Sequence, residues 1–144
     1  MELQNEYMPE ILDALCRSYF TRFVVDVEQD YYQLLSFGRK ITEDEKNASW
    51  REGSYSQGVR YQVTQHVVAE DQERVLKALS LEHLCEALYR EDGNTDRNES
   101  VYVDYKISLE EKECWYRAVT MALRFAPDGR PEKLLMMFKD ITAQ

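Results

Sequence analysis

Alternation of apolar and polar positions opens the readable part of the chain. Phe20 to Glu28 is rich in β-branched and aromatic residues, with Phe23, Val25 and Val27 on one face. Gln29-Asp30 reads as a turn and Tyr31 to Phe37 as a returning strand, so the pair predicts an antiparallel hairpin. Ahead of it, Ile11, Leu12, Leu15 and Cys16 follow Pro9 at helical spacing, which predicts an amphipathic helix over 8–18.

The period then changes. Thr42 with Glu45 reads as a capping box for a short helix, and Ser54 with Gln57 as a second one. Behind Ser54, the residues Tyr55, Val59, Val63 and Val67 form an apolar stripe at four-residue steps. Glu70-Asp71-Gln72-Glu73 places acids at a helix start, where the macrodipole favours them. Val75, Leu76 and Leu79 continue that helix, Ser80 breaks it, and Leu81, Leu84, Cys85 and Leu88 make another apolar face. Residues 91–99 are a polar loop. Alternation returns with Val101, Val103, Tyr105 and Ile107 against Tyr102, Asp104, Lys106 and Ser108. Glu110 to Glu113 turns the chain, Cys114 to Ala126 is a long strand, Pro127-Asp128-Gly129-Arg130-Pro131 is a turn, and Lys133 to Ile141 pairs back.

Composition narrows the classes. The 144 residues suit one domain, 1–144, comprising an N-terminal helix and flank over 1–19 and a core over 20–142. With 44% hydrophobic and 31% charged residues the chain reads as globular, and no apolar run is long enough to span a bilayer. The acidic Met1–Glu6 segment is no secretory signal, so a cytoplasmic location without direct membrane contact is expected. A net charge of −9 makes a nucleic-acid partner a poor fit, because phosphate neutralisation by basic groups supplies that affinity. Cys16, Cys85 and Cys114 are odd in number and widely spaced, matching neither a disulfide framework nor a zinc site.

The order strand–strand–helices–strand–strand–strand is what a five-stranded antiparallel sheet with helices over one face would give. Val68-Ala69-Glu70-Asp71-Gln72-Glu73-Arg74-Val75 resembles the His-Pro-Glu-Asp-Arg helix start of PAS domains, with Val68 and Ala69 replacing its first two residues. Trp115-Tyr116-Arg117 with the Pro127–Pro131 turn resembles the family's penultimate strand, and Lys139-Asp140-Ile141-Thr142 its closing Asp-Ile-Thr. The hairpin from Tyr19 to Leu35 is similar to the opening of PAS-like domains ahead of bacterial diguanylate cyclases and sensor kinases. The resemblance implies an α+β, PAS-like sheet with helices over one face and an N-terminal helix. It further implies a non-catalytic sensory module of a bacterial signalling protein, with Asp140, Ile141 and Thr142 at its signal output and an effector domain beyond this chain.

Candidate chemistry is sparse. His66 closes the Tyr55–Val59–Val63 stripe and could face a pocket, but neither it nor His83 carries a haem-ligating context. The Asn-Cys-Arg-Phe-Leu-Gln-like helix of the family's flavin photochemistry is missing, and Cys85 does not substitute for it. No haem or flavin is therefore expected, and no metal. Arg117 shares a strand face with Trp115, Val119, Met121, Leu123 and Phe125. It is either an anion-binding group in a ligand pocket, with Met121 beside it, or a strand-end arginine paired with a surface acid. Trp50, Tyr61 and Tyr105 are further pocket candidates because they join apolar area to a polar handle. No nucleophile elbow, His-Glu-x-x-His or phosphate-cradling glycine loop is present.

The last strand carries apolar residues on both faces, Leu134, Met136 and Phe138 against Leu135, Met137 and Ile141. A sheet with one wet face should not read so. Small Ala118, Thr120 and Ala122 on the neighbouring strand are expected to let a helix approach the outer face. Its cover is either the N-terminal helix with Ile11, Leu12 and Leu15, or a second subunit, giving a homodimer through these residues with Leu135 and Met137. Two other classes stay open: a small α+β enzyme using the helix-covered cavity, and a ligand-free interaction module. Converging acid–base groups of perturbed pKa would mark the enzyme, and an apolar or single-anchor cavity the sensor.

Overall fold

The predicted hairpin is present as β1 (Thr21–Asp26) and β2 (Tyr31–Phe37), with Val25 opposite Tyr32. Its turn is held from within. Asp26 Oδ1 accepts from the Gln29 N–H at 3.1 Å, and Asp30 takes a left-handed φ of 51°, which aspartate tolerates better than most residues. The computed structural model of the chain describes residues 21–37, 51–90, 99–109 and 111–142. The helices expected over 8–18 and after Thr42, with Ile11, Leu12, Leu15, Cys16 and Trp50, lie outside the described residues.

Asp30 also organises the start of the helical layer. A short strand β3 (Glu52–Ser54) pairs with β2, and helix α1 (Tyr55–His66) leaves directly from it. Ser54 caps the helix by accepting from the Gln57 N–H at 3.3 Å, as the sequence predicts. The turn supplies the rest of the cap. Asp30 Oδ1 accepts from the Ser56 N–H and from Ser56 Oγ, each at 2.9 Å, Ser54 Oγ donates to Asp30 Oδ2 at 3.3 Å, and the Asp30 carbonyl accepts from Tyr55 N. Asp30→Ala removes the two carboxylate acceptors, keeps the carbonyl bond to Tyr55 N, and leaves alanine in a left-handed backbone. It is expected to lower unfolding free energy by about 1–2 kcal/mol, read from urea midpoints; an unchanged midpoint would show that the cap does not need Asp30.

Helix α2 (Ala69–Ala78) and helix α3 (Leu81–Leu88) complete the described helices. The Asp71 of the family-like stretch does structural work: its Oδ2 accepts from the Lys106 N–H at 3.1 Å, and Val68 N donates to the Lys106 carbonyl at 3.1 Å. The helix start is thereby tied to β4 (Ser100–Leu109). Ser80 caps α3, accepting from the His83 N–H at 3.2 Å. The strands β5 (Lys112–Phe125) and β6 (Pro131–Asp140) complete the chain order.

Among the described residues the sheet is antiparallel with six strands in the order β3-β2-β1-β6-β5-β4. That corrects the five-strand expectation. Glu52–Ser54 is too short and glycine-broken to show an alternation, and it is held by backbone pairing with Tyr31–Gln33. β1 and β6 make the central pair, joining the hairpin to the C-terminal strands. The helices lie on one face, where Val25, Tyr105, Ile107, Ala118, Leu134 and Met136 from the sheet meet Tyr55, Val63, Val75, Leu79, Leu84 and Leu88 from the helices. A smaller cluster, Val119, Leu135 and Met137 with Val24 and Met121, lies on the other face.

The second cluster overturns one expectation about β5. Ala118 and Ala122 are packed in the main core, and Thr120, 1% exposed, pairs with Met136. The small residues thus face the helices, and the larger Val119 and Met121 face away. Close helix approach is needed on the inner side, and small side chains supply it. No described helix is long and apolar enough to cross a membrane.

Candidate functional site

Between α1 and the sheet lies a cavity of about 630 Å³. That is within the usual range for small-molecule sites. Its floor comes from the sheet: Thr21 and Phe23 of β1, Tyr32 of β2, Tyr105 and Ile107 of β4, Tyr116 of β5, and Met136 and Phe138 of β6. Its helical wall is Tyr55, Gly58, Val59, Tyr61, Gln62, Val63 and His66, closed by Val67 and Leu79. The floor is ordered by edge-to-face contacts, Phe23 meeting Tyr32 at 5.5 Å and Phe138 at 5.8 Å. Gly58 allows the helix to sit close, since a β-carbon there would stand 3.0 Å from the Tyr32 ring.

The wall is largely aromatic and aliphatic. No Asp, Glu, Lys or Arg lines it among the described residues. The hydroxyls have different duties. Tyr55 Oη donates to the Leu79 carbonyl at 2.7 Å and is thereby spent on tying α1 to the α2–α3 corner. Tyr105 is 6% exposed, and its hydroxyl makes no hydrogen bond with a described residue. Burial raises the phenols of Tyr55, Tyr105, Tyr32 and Tyr116 above their ordinary value, so at neutral pH they stay protonated.

The predicted site residues separate into three groups. Tyr105, His66 and Tyr61 do line the cavity, Tyr61 at its mouth with 60% of its surface exposed. Trp50 lies outside the described residues. Arg117 and Met121 are on the opposite face of β5, because they alternate with the core-facing Tyr116, Ala118 and Ala122. Arg117 is therefore the arginine paired with a surface acid: its Nε and Nη2 donate to Asp104 Oδ1 and Oδ2 at 2.7 and 2.9 Å, and the guanidinium stacks 4.5 Å over Tyr102. Sequence reasoning missed Thr21, Phe23, Tyr32, Gln62, Tyr116 and Phe138. Phe23 shares a strand face with Val25 and pairs with Met136, so its phase was available.

Outside the cavity, charge concentrates in hydrogen-bonded aspartates. The Gln29 N–H and Lys133 hold Asp26 below the usual carboxylate range, the Lys106 N–H and Arg74 do so for Asp71, Arg117 for Asp104, and the Thr142 hydroxyl and N–H for Asp140. A lowered folded value means stability that is present above the unfolded aspartate value of about 3.9 and is lost as pH falls through the lower folded one. Urea midpoints are therefore expected to hold between about pH 7 and 5 and to drop below about pH 4. A midpoint that rose on acidification would contradict these four contacts.

Asp140, Ile141 and Thr142 close the sheet on Trp115. Ile141 N donates to the Trp115 carbonyl at 2.8 Å, Trp115 N donates to Thr142 Oγ1 at 2.9 Å, and Asp140 Oδ1 accepts from Thr142 N at 2.9 Å. On the outer face Leu135 and Met137 are each 6% exposed within the single chain. Trp115, carrying Lys106 Nζ at 5.4 Å from its ring, is 42% exposed.

An antiparallel sheet covered on one face by short helices, with a cavity between the layers and an Asp-Ile-Thr close on the last strand, is the PAS fold. Solved structures with this fold include a sensory box histidine kinase/response regulator from Burkholderia thailandensis. The likeness there has a TM-score of 0.51 at 18% identity, over 93% of this chain and 84% of that one. An RNA-binding light-oxygen-voltage receptor gives 0.51 at 14% identity over 86% of this chain, which spans 30% of the receptor's length. The N-terminal domain of a diguanylate cyclase with PAS/PAC sensor from Marinobacter aquaeolei gives 0.46 at 13% identity, over 85% of this chain and 95% of that one. At these identities the likeness is one of fold. No family model and no curated protein matches the chain.

Proposed function

We propose that this chain is a non-catalytic sensory module that takes up a small molecule between α1 and the sheet and passes its presence to an effector domain. The cavity of about 630 Å³, whose largely aromatic and aliphatic wall holds no Asp, Glu, Lys or Arg among the described residues, carries this reading. Apolar concavity with a few polar groups is the ordinary make-up of a ligand site. Phenols raised by burial are poor proton-transfer groups at neutral pH, which favours binding over catalysis. Cys85 and Cys114 do not line the cavity, so the reading assigns no thiol-linked flavin.

Output would run along β6. Its inner residues Met136 and Phe138 touch the cavity, and its end is clasped to β5 through Asp140, Ile141 and Thr142. Anything that shifts the cavity floor therefore shifts the strand that leads out of the domain. Native mass spectrometry of freshly purified protein tests the reading, with the expected result being a retained organic molecule released on denaturation. Protein that is ligand-free as isolated and binds no member of a small-molecule library would overturn it.

A further inference from the structure

Tyr105 stands out among the cavity's polar groups. It is almost wholly buried in a cavity wall, yet its hydroxyl has no hydrogen-bond partner among the described residues. The hydroxyl is not one of the sealed polar atoms of the core; it opens on the cavity, where it stands ready to donate. The neighbouring hydroxyl on the helical wall, Tyr55 Oη, is already committed to the Leu79 carbonyl. Directly across the sheet, Tyr116 is the register partner of Tyr105 and lines the same cavity. Of the remaining described lining, Thr21, Gln62 and His66 are polar and the rest is apolar or aromatic, with no Asp, Glu, Lys or Arg.

We infer that the cavity takes a neutral, largely apolar ligand bearing one hydrogen-bond acceptor, a carbonyl or ether oxygen, that accepts from the Tyr105 hydroxyl. This rests on the sensory reading of the cavity. Three features select the class. An anionic ligand would have to leave water for a wall in which no described residue is a lysine or arginine, which is unfavourable. A pure hydrocarbon would leave the Tyr105 hydroxyl unpaired. A flat aromatic body matches the rings of Phe23, Tyr32 and Phe138 on the floor, where offset and edge contacts add to burial. Because the phenol remains protonated, it serves as a donor.

Three probes of matched shape separate the possibilities: naphthalene, 2-acetylnaphthalene and 2-naphthoate, titrated by calorimetry against the whole chain and against Tyr105→Phe. The ketone is expected to bind wild type about three- to tenfold more tightly than naphthalene, the range one hydrogen bond gives. Tyr105→Phe should reduce the ketone to the hydrocarbon's affinity without changing naphthalene binding, and the naphthoate should bind most weakly. Equal binding of ketone and naphthalene to wild type overturns the Tyr105 assignment while leaving the cavity reading standing. Tightest binding by the naphthoate overturns the neutral class. Failure of all three to bind overturns the flat, neutral ligand class, while the sensory reading itself is decided by the native mass spectrometry and the wider library. The ligand-free variant supplies a separate check. If the hydroxyl is unpaired, Tyr105→Phe should melt at or above the wild-type temperature. A fall of several degrees would show a partner inside the protein and overturn the inference.

Discussion

Gly129→Ala is expected to cost about 3–5 kcal/mol and to lower the melting temperature by roughly 10 °C or more. Gly129 sits in the turn between β5 and β6 with φ of +91°, a backbone that side chains with a β-carbon rarely adopt. Space is the larger difficulty. An added β-carbon would stand 2.3 Å from the Arg90 carbonyl oxygen and 3.0 Å from the Tyr89 ring. The clash cannot be relieved by turning a side chain, because the obstructing atom belongs to the backbone. It also cannot move away freely, since Arg90 N donates to the Gly129 carbonyl at 3.0 Å. Either the end of α3 leaves the turn, or the turn itself opens and loses the contacts of Ala126 N with the Arg130 carbonyl and of Gly129 N with the Ala126 carbonyl. Asp128→Ala in the same turn alters an exposed residue and should cost under about 1 kcal/mol. Gly129→Ala melting within two or three degrees of wild type would mean that α3 does not rest on this turn as described.

The second large effect is expected at Leu134. Its side chain is fully buried at the middle of β6, between Val25 of β1 and Ala122 of β5. Leu134→Ala should therefore destabilise by about 2–5 kcal/mol, the spread set by how far the surrounding core can collapse. Small neighbours limit the rescue: Ala122 has nothing to extend into the void. Leu123→Ala, one position away from that alanine but 44% exposed, should lie within about 0.5 kcal/mol of wild type. Leu134 does not line the cavity, so probe affinities should be kept under conditions where the variant is folded. A cost below about 1 kcal/mol for Leu134→Ala would contradict the placement of β6 at the centre of the sheet.

Much of the fold could be read from the residues because local signals and tertiary demands agree. Ser54 caps α1 where the capping box predicts it, and Tyr55 and Val63 of the stripe are buried on that helix. Val101, Val103, Tyr105 and Ile107 share the core face. What alternation cannot supply is a sign. It states which residues of β5 share a face, and it leaves open which of the two faces points inward. Both faces of β5 and β6 are apolar, so hydrophobicity does not choose between them. Size chose instead, with alanines beneath the helices, and Arg117 and Met121 were carried to the outside with the larger residues. The same ambiguity hid Tyr116 from the candidate site, since it alternates with Arg117. β3 was illegible for another reason, as three residues paired through their backbones leave no periodic trace.

The place of β1 in the sheet has a consequence for how the molecule is made. Asp26 and Lys133 meet at 3.0 Å although 107 positions separate them in the chain. The central seam between β1 and β6 thus cannot close until nearly all of this sequence has left the ribosome. The N-terminal hairpin forms early from local contacts, and then waits with the backbone groups of Thr21–Asp26 unpaired on one side. During that interval the nascent hairpin offers a template edge to any other emerging chain, and chaperone shelter matters most then.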